Sequence, residues 1–179
     1  LIDDEGSRID GLTEQQLDLA TPRSYDAKPL SVHELMKTSL ELVSTKAQDR
    51  NVEIRQDLQA NPDMVLTDET ALKQVLLNLS FNAIQAIDSH EGSERWFEIT
   101  TRNLDAEHIE MTLEDSGPGI EPEMLPRLFK PFQSTKSSGF GLGLAICSDI
   151  LTGLDATIAV DPPVPGRGAK FRIKFPCQA

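Results

Sequence analysis

Residues 72–87, LKQVLLNLSFNAIQAI, decide how the rest of the chain is read. At about 100° per residue, Leu72, Val75, Leu76, Leu79, Ala83, Ala86 and Ile87 form one broad apolar face of a helix. Leu77, Phe81 and Ile84 make much of the remaining circumference apolar too. What is left is a narrow stripe, Gln74, Asn78, Asn82 and Gln85, within about 80° of arc. A helix apolar nearly all round is expected to be buried, and a buried amide without a partner costs about 1–3 kcal/mol. The stripe therefore either hydrogen-bonds within the protein or lines a polar cavity.

The flanks supply the other elements. The helix is expected to run from Asp68 to about Asp88. Upstream, Ser31 with Glu34 three residues later reads as a capping box opening a helix to about Asp49. VEIRQDL (52–58) and MVL (64–66) read as short strands, and WFEITTR (96–102) and HIEMTLE (108–114) alternate as two more. A helix from about Gly141 to Leu151 and strands around Thr157–Val160 and Lys170–Phe175 complete the set. Strands and helices mix without a steady βαβ alternation. That predicts an α+β, two-layer sandwich: a mixed sheet covered on one face by helices. In residues 1–20, Ile2, Ile9, Leu12 and Leu19 form a heptad seam, weakened by Gly6 and Gly11, as expected of a helix packing on another helix. Pro22 and Pro29 then bound a linker over 22–29.

Composition narrows the function classes. The chain has 179 residues, 39% hydrophobic and 26% charged, as a globular domain does. A formal charge of −12 argues against a nucleic-acid groove or an anionic membrane surface, both of which need basic stripes. It leaves room for a nucleotide, whose phosphates metal ions and a few placed cations neutralise locally. Two cysteines, Cys147 and Cys177, and three scattered histidines show no metal-ligand spacing. A reducing, cytoplasmic compartment is the natural expectation. No apolar run approaches the ~20 residues that span a bilayer. A first residue that is leucine, not methionine, is expected of a piece of a longer protein.

Three further segments carry glycines where chemistry could sit. Asp115-Ser116-Gly117-Pro118-Gly119 follows directly on strand HIEMTLE. A carboxylate at a strand end followed by glycines lets backbone approach a flat ligand, although the same residues also make a plain turn. Gly139-Phe140-Gly141-Leu142-Gly143-Leu144 runs into a helix, where glycine-rich backbone offers N–H groups to phosphate, but it lacks the P-loop's Gly-Lys-Ser/Thr ending. Gly166-Arg167-Gly168-Ala169 precedes the last strand and also suits a hairpin turn.

Together and in order, these segments resemble the N, G1, G2 and G3 boxes of the catalytic domain of sensor histidine kinases. That domain belongs to the superfamily of gyrase B, the Hsp90 chaperones and MutL. LFKPFQSTK (128–136) looks like the family's F box, and the short interval to the G2 box resembles the nitrogen-regulation (NtrB-like) branch. The resemblance covers about residues 30–176, so 30–179 is expected to be the catalytic ATP-binding domain, of Bergerat type. Residues 1–21 resemble the end of the preceding dimerisation helix.

The resemblance implies a role for each matching residue. Asn82 would hold Mg²⁺ against the triphosphate, with Asn78 one turn away in the same pocket. Asp115 would accept from the adenine amino group, with Gly117, Gly119 and Ile120 shaping the wall beside it. Gly139, Gly141, Leu142, Gly143 and Leu144 would line the phosphates, and Gly166 and Gly168 would close the floor. Phe129 and Phe132 would pack the base of a lid from which Lys136 reaches a phosphate, although Lys136 also suits a solvated surface. In the ATPase branches a glutamate at the place of Asn78 activates water. An amide cannot act as a general base, so Asn78 and Lys136 are the catalytic candidates of a kinase. ATP, ADP and Mg²⁺ are the implied ligands. The implied partners are a dimerisation domain carrying the phosphoacceptor histidine and a response-regulator receiver domain, in a homodimeric parent that the isolated fragment need not reproduce. Anchoring of that parent in the inner membrane is compatible with the resemblance. His33, in VHELM, lacks the acceptor motif's Asn/Thr-Pro pair and reads as a surface residue of the first helix. An ATPase clamp, or a nucleotide binder without kinase activity, is the alternative. Asn78 speaks against the clamp, and the binder draws on Phe140, where the family often has a hydroxyl, and on Leu154-Asp155-Ala156, where many members have His-Gly-Gly.

Overall fold

The computed structural model describes residues 24–92, 94–132, 142–164 and 167–177. The helix expected over 1–21, and Lys136, Gly139, Phe140, Gly141 and Gly166, lie outside the described residues.

Helix α1, Val32–Asp49, begins where the capping pattern places it: the Ser31 hydroxyl accepts from the Glu34 N–H at 3.1 Å. Val32, Leu35, Met36, Leu40, Val43 and Ala47 recur every three or four residues and are buried. Helix α2, Glu69–Asp88, is capped by Asp68, whose carboxylate accepts from the Ala71 N–H at 2.9 Å and, with its other oxygen, from the Asp26 N–H at 2.9 Å. The Ala71 bond, followed by other backbone N–H groups, holds the Asp68 carboxyl below the usual aspartate range despite partial burial. A carboxyl whose folded-state pKa is lowered stabilises the fold above its unfolded pKa and loses that contribution as pH falls through the folded value. Asp68→Ala should therefore lower stability by about 1 kcal/mol at neutral pH. The difference should shrink on acidification below about pH 4. Urea midpoints of both proteins at neutral and acid pH check it.

Five strands form one mixed sheet in the order β2-β4-β5-β7-β6: Glu53–Leu58, Trp96–Asn103, His108–Asp115, Lys170–Pro176 and Thr157–Val160. β2 runs parallel to β4 and the other pairings are antiparallel. Alternation sends Phe97, Ile99, Ile109, Met111, Leu113, Phe171, Ile173 and Phe175 inward to α1, α2 and the last helix, α3 (Gly143–Gly153). The opposite face is charged. Glu110 meets Arg102 at 2.6 Å, and Glu114 meets Arg167 and Lys170 at 3.0 Å each. Glu98 stands directly across from Glu114, so the two cations on Glu114 also relieve that like-charge pair. The expected two-layer α+β sandwich is what forms.

Three details differ from the sequence reading. Lys28 and Pro29, read as linker, belong to strand β1 (Lys28–Ser31), which pairs antiparallel with β3 (Met64–Thr67) in a separate two-stranded sheet. Proline is tolerated there because the strand has one neighbour only. His33 is not a solvated surface residue: it is half-buried, its Nε2 lies 2.7 Å from Thr101 Oγ1 and its Nδ1 lies 3.4 Å from Asp63. Its place in the first turn of α1 sets it over the end of β4. Leu77 and Phe81, on the far side of α2, are half-buried, and Lys46 of α1 lies 4.8 Å from the Phe81 ring centroid. The altered turn Leu154-Asp155-Ala156 closes without glycine. Asp155 takes a left-handed φ of 55°, and Ala156 N–H reaches Leu151 O at 2.8 Å.

Candidate functional site

Asp115 ends β5 at a core-facing position and is 4% exposed. The chain wraps closely around it. Its Oδ1 accepts from the Gly117 N–H at 2.8 Å and the Ala169 N–H at 3.2 Å, while its backbone oxygen accepts from Gly168 N–H at 3.1 Å. A Cβ at Gly168 would lie 2.2 Å from both that backbone oxygen and Oδ1. Glycine is therefore required there by close approach, not by turn geometry. Residues some fifty positions apart, 115–119 and 167–169, thus form one structure around a buried carboxylate. Gly119, at φ +79°, faces the Arg167 carbonyl.

Helix α2 joins this assembly through its own stripe. A Cβ on Gly117 would stand 3.1 Å from Ala86, so Asn78, Asn82 and Ala86, spaced four apart, form a line that ends against the Asp115 loop. Asn78 and Asn82 are half-buried, as is Gln74, whereas Gln85 is exposed; the stripe divides. Along the same side lies α3. A Cβ on Gly143 would be 4.0 Å from Asn82 Nδ2. One turn further on, the fully buried thiol of Cys147 lies 4.0 Å from the Val75 carbonyl. Burial pushes the Cys147 pKa up to about 12, against a smaller lowering by the Asn78 side chain. The N-cap residue of α3, Leu142, makes no side-chain cap bond, so among the described residues the N–H groups of its first turn are left to other acceptors.

The remaining expected residues are placed as follows. Ile120 and Leu144 are half-buried against the core, and Phe129 packs edge-on to Phe171 with ring centroids 6.5 Å apart. Leu142 is 1% exposed, so its side chain belongs to the core and only its backbone can meet a ligand. Phe132 is 64% exposed with φ 61°, so it does not pack as the base of a lid would. Cys147 adjoins this assembly through the Val75 carbonyl, and the motifs do not mark it. The one signal for it in the sequence is its place four residues after Gly143, on the α3 face that meets α2. A shallow concavity of about 400 Å³ on the open face of the sheet lies away from this assembly, and its charges, Arg102, Glu110, Asp161 and Arg172 among them, already pair with one another.

This arrangement can be compared with known proteins. The family described as "Histidine kinase-, DNA gyrase B-, and HSP90-like ATPase" matches residues 67–179, and the chain belongs to it. Sensor histidine kinase ZraS of Salmonella typhimurium is 32% identical over 96% of the chain and 36% of its own length. Full-length ShkA, solved in complex with AMPPNP, superposes with a TM-score of 0.84 at 25% identity, over 98% of the chain and 37% of that structure. Histidine kinase ThkA, solved in complex with response regulator protein TrrA, gives 0.80 at 25% identity, over 99% and 49%. The chain thus spans little more than a third of the length of its ZraS relative.

Proposed function

We propose that the chain is the ATP-binding catalytic domain of a two-component sensor histidine kinase. It passes the γ-phosphoryl group of Mg-ATP to a histidine on a dimerisation domain, for relay to an aspartate of a response regulator, in the cytoplasm. The observation that carries this reading is the line Asn78–Asn82–Ala86 on α2, which passes the head of α3 at Asn82 and ends against the Asp115 loop. It places neutral amides at one end and a buried carboxylate at the other. The likeness to ZraS, ShkA and ThkA points the same way.

Asp115 would accept from the adenine amino group, in a wall that Gly117 and Gly168 keep thin. N–H groups at the head of α3 suit the phosphates. Half-exposed amides on an otherwise buried helix fit magnesium, which takes few protein ligands beside phosphate and water. Asn82 would hold it, and its charge would offset that developing on the γ-phosphate. Asn78 cannot take a proton from water. The site therefore keeps ATP intact until an acceptor arrives.

Incubation with γ-labelled ATP tests the reading. The chain should bind ATP, hydrolyse it very slowly, and remain unlabelled on its own. A dimerisation domain added in trans should acquire acid-labile label. Rapid acid-labile labelling of the chain itself, lost in His33→Gln, would overturn the assignment of the acceptor to another domain. Absence of ATP binding would overturn the function.

A further inference from the structure

The chain leaves β5 for the Asp115 loop in an irregular way. In an antiparallel ladder, a hydrogen-bonded pair of residues exchanges two backbone bonds. Trp96 and Ser116 follow on from the pair Phe97 and Asp115, and they exchange only one: Ser116 N–H donates to Trp96 O at 3.0 Å. The return bond goes to the Ser116 hydroxyl, which accepts from Trp96 N–H at 2.9 Å and donates to Glu94 O at 3.0 Å. A side chain thus stands in for the strand's own carbonyl. The backbone is released at Ser116 and turns at once into Gly117, whose N–H donates to Asp115 Oδ1 at 2.8 Å.

The segment that holds Ser116 also holds α2. Between Glu94 and Trp96 lies Arg95, whose guanidinium donates to Arg50 O at the end of α1, at 2.7 and 3.0 Å. It donates as well to Ile87 O, in the last turn of α2, at 3.3 Å. A cation beside the last carbonyls of a helix also suits the helix dipole. The Arg95 backbone oxygen accepts from Glu53 N–H at 2.8 Å, which fixes the segment to β2. Residues 94–96 therefore tie the end of α2 on one side and the Asp115 loop on the other. The two meet at Ala86, next to Ile87, where a Cβ on Gly117 would stand 3.1 Å away.

We propose that Ser116 is a positioning residue of the nucleotide site: its hydroxyl, taking the place of a backbone acceptor, pins the loop so that Asp115 and the end of α2 keep the spacing an adenine needs. The inference rests on the proposed nucleotide-binding function. Ser116 acts through Asp115, its neighbour in the chain, and not on the base. A carboxylate accepts well from an amino group only within a narrow range of distance and angle. With the hydroxyl present, three hydrogen bonds hold Ser116 to residues 94–96. Without it one remains, and the buried Trp96 loses the acceptor of its N–H. A buried N–H must find a partner, and the nearest in the ladder is the Ser116 carbonyl. Taking that carbonyl draws the loop back toward the strand and moves Gly117 off Ala86.

The test is a double-mutant cycle between Ser116 and Asp115 in this chain. Ser116→Thr keeps the hydroxyl, and Ser116→Val has the shape of threonine without it. Binding of ATP and of ADP is titrated in excess Mg²⁺ by competition with a fluorescent ATP analogue, with thermal melts to verify folding. Ser116→Val should weaken both nucleotides alike, by about three- to tenfold, and Ser116→Thr should bind as wild type does. In an Asp115→Asn background the same change to valine should cost less than about twofold, because the contact it steadies is already impaired. A purely structural role would lower the melting temperature and leave the affinity of the folded chain unchanged. If the valine variant fails to fold, Ser116→Ala takes its place. Full affinity in the folded valine or alanine variant would overturn the positioning role. Equal losses in both backgrounds, a loss confined to ATP, or a threonine variant that loses as much as valine would overturn it too. A wild-type chain that binds no ATP, or an Asp115→Asn variant with undiminished affinity, would remove the role by failing the nucleotide reading itself. That failure is distinguishable because it shows before any Ser116 variant is made.

Discussion

Asn82→Ala is expected to abolish the Mg²⁺-dependent part of nucleotide affinity and to leave the fold intact. Asn82 is half-exposed, so truncating it opens no void in the core, and its neighbours Leu79 and Ala83 keep their buried places. Alanine is also the better helix former by several tenths of a kcal/mol, so α2 should if anything gain stability. Removing a polar interaction with a charged group costs about 1.5–3 kcal/mol, roughly a ten- to hundredfold weakening. The measurement is a titration with and without Mg²⁺ beside a thermal melt. A folded Asn82→Ala protein with unchanged Mg²⁺-dependent affinity would show that the amide stripe serves the structure and not a ligand.

Asp115→Asn should weaken ATP and ADP alike, by about 1.5–3 kcal/mol, because the hydrogen bond it disrupts is to the base and not to the phosphates. Asparagine is the discriminating substitution here. It keeps a side-chain oxygen to accept from the N–H groups of Gly117 and Ala169. Alanine would strand both of them in a site only 4% exposed, at about 1–3 kcal/mol each, and confound binding with unfolding. Parallel titrations with the two nucleotides give the answer. Weakening confined to ATP would move Asp115 from the adenine end to the phosphate end and overturn its assignment.

The sequence was most legible where one local rule sufficed. Ser31 and Asp68 start helices because each supplies an oxygen to an N–H three residues on. The strands of the large sheet were readable because period-two alternation is what a one-sided sheet demands. Strand β1 was not, since KPLS is four residues long, contains proline, and owes its conformation to β3 more than thirty residues away. The contacts of His33 and Cys147 were hidden for the same reason: each depends on a partner from another element, Thr101 and Asp63 in one case, Val75 in the other. Leu142 shows the limit of reading boxes as contacts. A residue between two glycines of a loop can turn its side chain into the core while its backbone stays at the site. Sequence pattern marks which residues belong together, and packing decides which atoms of each remain available.

The order of the large sheet leaves β2 and β6 as its outer strands, and both are poor templates for a foreign strand. Along β2, Glu53, Arg55 and Asp57 alternate on the open face, with Glu53 and Arg55 paired at 2.6 Å. An incoming chain would have to match that charge sequence in register. β6 is only four residues long and runs into Asp161, Pro162 and Pro163, where two successive residues have no N–H to donate. Arg172 on the neighbouring strand holds Asp161 at 2.6 Å. Lateral growth of a β-sheet, the route by which folded domains most readily aggregate, meets charge at one border and proline at the other. Association between copies is left to the helices, the loops and the charged open face.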